Sequence, residues 1–193
     1  MNSFVNKLSP SITNMIRMDH SQVLATFHRF QPGDRAPTRR AVVNTACLAI
    51  EIHSRLEEEI FYPAMRAVLA DPSMLDKSVP EHQEMHRLIA TLRAMEPTNP
   101  SYDGTFMELM RDVIHHLADE ETLLLPQAER LLGDRLGELG AEMTKRCLQL
   151  IAPHAGEIAI DTARAFPTMS MVLAAGTLIA GTYLVRRNWS RHA

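Results

Sequence analysis

The sequence HLADEETLLLP, at residues 116–126, repeats a pattern that occurs earlier in the chain as HSRLEEEIFYP, at residues 53–63. Both stretches read H-x3-E-E-x4-P, with apolar residues in the same three places before the proline. A histidine and a glutamate four residues apart lie on one face of a helix, one turn apart. The repeat therefore predicts two helices that each present one imidazole and one carboxylate to the same small volume. These matched pairs are His53 with Glu57 and His116 with Glu120.

Helical phase selects His116 rather than its neighbour His115. Val113 and Leu124 lie on an apolar stripe that shares the face of His116, which is the pattern of a helix packed against a core. His115 is rotated from that stripe by about 100°. We expect His115 and Asp119 to lie at the rim of the structure.

Two further segments carry histidines on inward faces. HQEMH, at residues 82–86, has two histidines in an i, i+4 relation, and His20 lies on the apolar stripe of MDHSQVL. An unpaired carboxylate is very costly to bury, and a metal ion removes this cost by supplying positive charge. The sequence therefore predicts a metal site, with four histidines outside the pattern: His28, His115, His154 and His192. The predicted ligands are His20, His53, Glu57, His82, His86, His116 and Glu120.

Five imidazoles and two carboxylates exceed the needs of a four-coordinate zinc ion. They suit two first-row metal ions bridged by carboxylates, and iron is a natural occupant of such a ligand set. We therefore expect a non-haem diiron site.

The fold class expected from the sequence is all-α. The 193 residues show little of the two-residue alternation of strands, and apolar residues recur at helical spacing. Helices are expected from Ser9-Pro10 to about residue 30, over 37–69 with a break or kink at Pro63, from the capping signal SVPE at 78–81, and over 101–132. Short turns predict an up-down-up-down four-helix bundle over residues 1–133. An amphipathic helical extension is expected over 134–166.

The last segment, residues 167–193, is different in character. Residues 169–185 carry no charge and are followed by Arg186, Arg187 and Arg191. This stretch is at the short limit for a membrane span, so a membrane anchor, a buried helix and a dimerising tail all stay open. The N-terminus lacks a secretory signal, which favours a cytoplasmic domain, with anchoring to the inner membrane as the alternative. A formal net charge of −3 gives no indication of a nucleic-acid partner.

The pattern H … HxxxE … HxxxH … HxxxE on four helices resembles the hemerythrin and HHE cation-binding domain family, over about residues 10–132. The resemblance implies that the five histidines bind iron terminally, three on one ion and two on the other. It also implies that Glu57 and Glu120 bridge the ions together with an oxo or hydroxo group, and that one coordination position stays open for dioxygen. In the invertebrate oxygen carriers the last carboxylate is an aspartate five residues after its histidine. Glu121 occupies that position here, so it is an alternative to Glu120.

Four functions remain open at this point. The first is reversible binding of O2 or NO in oxygen binding or sensing, and the second is enzymatic reduction of peroxide or O2. The third is storage or sensing of iron, and the fourth is a metal that only stabilises the bundle. The chain encodes no recognisable flavin, haem or rubredoxin-like domain that would supply electrons, which favours reversible binding of a diatomic ligand or peroxide.

Overall fold

The computed structural model describes residues 10–165, and every regular element among them is helical. The predicted all-α fold and the helical extension are confirmed. Two of the bundle helices contain a short π-helical segment, which divides each of them in two. The elements are α1 (Ile12–Arg29), α2 (Ala36–Leu56), a π segment (Glu57–Phe61), α3 (Tyr62–Arg66), α4 (Ser73–Ala94), α5 (Tyr102–Asp119), a second π segment (Glu120–Leu124), α6 (Leu125–Leu132), α7 (Arg135–Ile151), a 3₁₀ turn (Ala152–His154) and α8 (Ala155–Ala165).

The helix ends follow local chemistry, with one departure from the sequence prediction. Ser11 caps α1, because its hydroxyl accepts the Asn14 N–H at 3.3 Å. Gly133, with φ of 48°, ends α6 as expected. Helix α4 begins at Ser73 rather than at Ser78, and it accommodates Pro80 in its interior. Because the helix starts earlier, Leu75 lies within its first turn and is fully buried in the core.

The two π segments coincide with the two copies of the repeat. The backbone N–H of Tyr62 donates to the carbonyl of Glu57, and that of Leu125 donates to the carbonyl of Glu120. In each copy the next residue is the proline, which has no N–H and crowds the carbonyl four residues earlier. The π segment has one more residue in its turn than an α-helix, and this wider turn relieves the crowding. The helix therefore continues through Pro63 instead of breaking there.

The apolar interior forms two clusters along the bundle, separated by a polar layer. On α1, Ile16 belongs to one cluster and Val23 to the other, and His20 lies between them. On α2, Ile50 belongs to one cluster and Leu56 to the other. The polar layer thus lies at mid-height between two packed hydrophobic regions, which limit the access of solvent.

The extension covers one side of the bundle. Helix α7 packs on α1 and α2, and α8 packs on α2. A Cβ on Gly140 would lie 2.1 Å from the carbonyl oxygen of Pro10, so glycine allows α7 to approach the start of α1. Asn44 donates to Asp161 at 3.1 Å and fixes α8 on α2. Over residues 10–165, none of the helices has the length and apolar character needed to cross a bilayer. The anchor predicted at residues 169–185 lies outside the described residues.

Candidate metal centre

Six of the seven predicted ligands meet in the polar layer of the bundle. Each of them is buried, and Glu57 and Glu120 expose 0% and 1% of their surfaces. Their donor atoms form two overlapping groups in which all atoms lie within 4.8 Å of one another. The first group is His20, His53, Glu57 and Glu120, and the second is Glu57, His82 and His116.

All four imidazoles direct Nε2 toward the two glutamates. His20 Nε2 lies 3.3 Å from Glu120 Oε2, and His53 Nε2 lies 3.3 Å from Glu57 Oε2. His82 Nε2 lies 3.4 Å from the same Glu57 oxygen. Glu57 is therefore common to both groups, as a bridging ligand between two ions would be.

Several buried polar atoms at this centre lack a hydrogen-bond partner. They are Nε2 of His20, Nε2 of His53, Oε1 of Glu57 and Oε2 of Glu120. Among the described residues, only Arg39 contributes a further atom of this kind. Unsatisfied polar atoms in a protein interior are costly, and these converge on one small volume. Nitrogen and carboxylate donors arranged in this way fit metal ions.

A second set of carboxylates lies on the opposite side of the imidazoles. Nδ1 of His20 lies 2.8 Å from Glu121, Nδ1 of His82 lies 2.9 Å from Glu58, and Nδ1 of His116 lies 2.9 Å from Glu81. Nδ1 of His53 faces Asp19 at 3.9 Å, which is too long for a hydrogen bond. A carboxylate that accepts from Nδ1 fixes the ring and leaves Nε2 available to a metal.

These outer carboxylates follow a pseudo-twofold pattern. The second glutamate of each repeat faces a histidine on a helix that does not carry the repeat: Glu58 faces His82, and Glu121 faces His20. Conversely, the acid that precedes each of those histidines faces the histidine of a repeat: Asp19 faces His53, and Glu81 faces His116. Asp19, Glu58 and Glu81 were not among the residues predicted from the sequence, although the dipeptides Asp19-His20 and Glu81-His82 and the doubled glutamates indicated them. Of the two alternative glutamates, Glu121 contacts Nδ1 of His20 on the outer side of the ring, whereas Glu120 is among the inward donors.

His86 is the predicted ligand that the structure does not bring to the centre. It lies one turn beyond His82, is only half-buried, and its Nε2 is 3.1 Å from the Ser54 hydroxyl. Met85 takes the inward position at that level of α4, where it is 2% exposed. The resemblance implied a division of five histidines into three and two, whereas the two groups here hold two histidines each.

Tyr62 is an unpredicted member of the layer. Its hydroxyl donates to Glu120 Oε1 at 3.0 Å and lies 3.3 Å from both Glu57 Oε2 and His82 Nε2. Burial and the negative charges of Glu57 and Glu120 raise the pKa of Tyr62, so the phenol is protonated in the metal-free chain.

Without metal, the layer is held by charge pairs. Burial opposes the charged form of His116, but the nearby carboxylates of Glu57 and Glu81 outweigh it and raise the pKa of His116 to about 10. Burial likewise opposes the ionised form of Glu57, yet the charge of His53 and the proximity of His116 hold the pKa of Glu57 well below its usual value. A metal ion that enters the layer must therefore displace protons from imidazoles.

His115 lies in a separate group at the surface, near Glu81 and Asp119. The Lys77 ammonium contacts Asp119 and lies 3.3 Å from Glu81. A side-chain cation thus already balances these two carboxylates, and the predicted rim position of His115 and Asp119 agrees with this placement.

An outer and an inner cavity reach the centre, and Val23 and His53 line both. The outer cavity, of about 140 Å³, lies between the bundle and the extension, and its wall includes Cys147 of α7 and Asp161 of α8. The inner cavity, of about 10 Å³, is lined by three of the histidines, by Ser54 and by apolar side chains. A volume of this size corresponds to about one water molecule.

The chain is similar to known proteins both in sequence and in fold. Residues 11–128 match the family model of the hemerythrin HHE cation-binding domain. The crystal structure of an HHE cation-binding domain-containing protein from Mycobacterium kansasii has a TM-score of 0.65, with 18% identity, covering 84% of this chain and 98% of that one. A DNA nickase from Nostoc sp. (strain PCC 7120 / SAG 25.82 / UTEX 2576) is 24% identical over 151 residues, which are 78% of this chain and 43% of the nickase. This chain thus spans less than half the length of that relative. With the family model matching well over half of its length, and with clustered histidines and glutamates able to hold a metal, the chain belongs to the hemerythrin HHE cation-binding domain family.

Proposed function

We propose that this chain is a non-haem diiron protein that binds dioxygen, or NO or peroxide, reversibly in oxygen binding or sensing. The observation that carries the proposal is the position of Glu57, whose carboxylate belongs to two groups of donors at once. One ion alone would leave either His20 and His53 or His82 and His116 without a metal. Two ions that share Glu57 would satisfy the whole layer.

The donor types support iron. Four imidazoles and two carboxylates form a mixed nitrogen and oxygen set without thiolates, which suits first-row ions such as iron. Cys147 lines the outer cavity, but among the described residues it does not belong to the donor groups that converge on the centre. Bound iron would supply the affinity for dioxygen, and the protein would supply the ring orientation and the exclusion of water.

The cavities support a small ligand. The inner cavity offers about 10 Å³ beside His53, His82 and His116, and most of its remaining wall is apolar. A diatomic molecule or peroxide approaches this size, whereas a larger substrate would require movement of the helices. The outer cavity gives a route from the surface to His53.

The test is anaerobic loading with Fe(II), metal counting, and optical spectroscopy during cycles of O2 addition and removal, with NO in a parallel titration. We expect two iron ions per chain and a visible absorption change that appears with O2 and disappears on deoxygenation. Zinc-loaded protein is the matched control, because it has the same fold without the redox chemistry. Continuous O2 consumption with added reductant would favour an enzyme instead. Purified protein that takes up zinc but no iron would overturn the proposal.

A further inference from the structure

The outer cavity lies between the bundle and the extension, and its lining is both apolar and acidic. Residues of α1 and α2 form one wall, and residues of α7 and α8 form the other. Aliphatic side chains cover much of both walls. The acidic residues of the lining are Asp19, Glu157 and Asp161, and within residues 10–165 neither lysine nor arginine lines the cavity. The cavity therefore has a negative lining without a basic side chain to balance it.

Asp161 distinguishes this cavity from an ordinary acidic surface. It is 6% exposed, whereas Asp19 and Glu157 expose 28% and 50% of their side chains. Its carboxylate accepts a hydrogen bond from the Asn44 amide at 3.1 Å, and in the part of the chain that the structure describes it forms no ion pair. Burial raises the pKa of Asp161, and the hydrogen bond from Asn44 does not fully compensate. A buried carboxylate without a cation is costly, and a bound cation removes this cost.

We propose that the outer cavity binds a small organic cation, with an ammonium group on an apolar body about the size of benzene. The ammonium donates hydrogen bonds to Asp161, and the aliphatic wall covers the body of the ligand. The cavity volume of about 140 Å³ is close to the roughly 150 Å³ of an apolar cavity that holds benzene. An apolar lining with a few polar groups that fix orientation is the usual composition of a small-molecule site.

The lining distinguishes this ligand from three alternatives. An anion is repelled by the three carboxylates. A bare metal ion is held by several converging donors, and among the described residues Asp19, Glu157 and Asp161 do not form such a group. A neutral apolar molecule leaves the Asp161 carboxylate without a partner.

The proposed site goes beyond the metal centre and does not depend on iron. Asp161 belongs to α8, which lies beyond residues 11–128 that match the family model. The extension thus supplies the buried acid that gives the cavity its preference for a cation. Because His53 also lines the outer cavity, an occupant lies across the route from the surface to the centre and restricts access to it.

The experiment titrates benzylammonium chloride into the full-length protein by isothermal titration calorimetry, with benzyl alcohol as the matched neutral probe. We expect one benzylammonium per chain, bound about 10–100-fold more tightly than benzyl alcohol, because a hydrogen bond to a charged group is stronger than one between neutral groups. Asp161→Asn removes the charge but keeps an oxygen that accepts from Asn44, so it should abolish this preference. Glu142→Gln, on the exposed face of α7, is the control and should retain it.

A second variant protects the test from a folding failure of Asp161→Asn. Ala49→Phe fills the cavity from α2 and leaves the acids in place, so both probes should lose their binding, with the helical content checked by circular dichroism. Absence of benzylammonium binding, equal affinity for the two probes, or a preference that survives Asp161→Asn would overturn the inference. Benzylammonium binding that survives Ala49→Phe would also overturn it. Because the titration requires no iron, none of these outcomes bears on the diiron proposal.

Discussion

The carboxylate of Glu121 lies 2.8 Å from Nδ1 of His20, on the side of the imidazole that faces away from the centre. The preceding residue, Glu120, approaches Nε2 of the same ring at 3.3 Å. Adjacent glutamates thus contact the two nitrogens of one imidazole, and only Glu120 is among the inward donors. The Glu121 side chain is 35% exposed and also accepts a hydrogen bond from Arg17.

This division of roles predicts different metal-binding defects for the two glutamates. Glu120→Ala should lower the number of bound irons, because it removes a donor from the centre. Glu121→Ala should keep the iron content at saturation and weaken affinity by about 10–100-fold, because His20 loses the partner that orients it. Chelator competition measures both quantities. Glu142→Ala, on the exposed face of α7, is the control. Loss of iron from Glu121→Ala at saturating metal would identify Glu121 as a ligand.

A second prediction concerns the histidines. His116→Ala should abolish or halve iron binding, because His116 Nε2 lies in the second group of donors. His115→Ala should leave iron content unchanged, since His115 lies in the separate surface group.

The same series tests His86. Because its Nε2 contacts Ser54 and not the centre, we expect His86→Ala to retain both irons. Metal analysis of the three variants under one loading protocol gives the answer. Iron loss in His86→Ala equal to that in His116→Ala would restore the assignment made from the sequence pattern and would require α4 to rotate on metal binding.

The sequence indicated the inward donors well because they depend on periodicity within single helices. His53 with Glu57 and His116 with Glu120 follow from a repeated spacing, and the structure brings all four into one layer. The outer carboxylates and Tyr62 depend on which side chains face each other across helices. That relation is set by helix rotation and by the π segments, which a spacing rule for regular α-helices does not include. The same limit explains His86, which shares the i, i+4 spacing but turns toward the rim.

The charge pairs of the metal-free layer predict how stability depends on pH. The pKa of His116 is raised to about 10. Its contribution to the free energy of unfolding is therefore complete below its pKa in the unfolded chain, about 6.5, and is lost as the pH rises toward 10. The pKa of Glu57 is lowered, so its contribution is present above its unfolded pKa and is lost as the pH falls below it. The metal-free protein should therefore be most stable at a pH between the unfolded-state pKa of Glu57 and the unfolded-state pKa of His116.

Urea unfolding of chelator-treated protein at a series of pH values measures this effect. We expect the free energy of unfolding to fall by about 2–4 kcal/mol between pH 6.5 and 10. His116→Gln should make this decline shallower, with a remainder from His20 and His82, whose pKa values are also raised, and His115→Gln should preserve it. An equally steep decline in His116→Gln would show that another group is responsible.

The last prediction concerns the route from the surface to the centre. Ala49 of α2 lines the outer cavity that also touches His53. Ala49→Phe should fill most of the cavity of about 140 Å³ and slow the binding of NO to the iron-loaded protein several-fold, with the final spectrum unchanged. Added bulk in a packed region costs about 1–3 kcal/mol of stability, so the experiment is performed well below the unfolding temperature.

Stopped-flow mixing with NO gives the rate, and Ala90→Phe on the exposed face of α4 is the matched control for an added phenyl ring. If ligands enter through the outer cavity, only Ala49→Phe is slow. Equal rates in both variants and in the original protein would mean that ligands reach the inner cavity from another face of the bundle. Because the wall of the outer cavity is completed by α7 and α8, a slow Ala49→Phe would also connect the extension, which lies beyond the matched family segment, to the function of the centre.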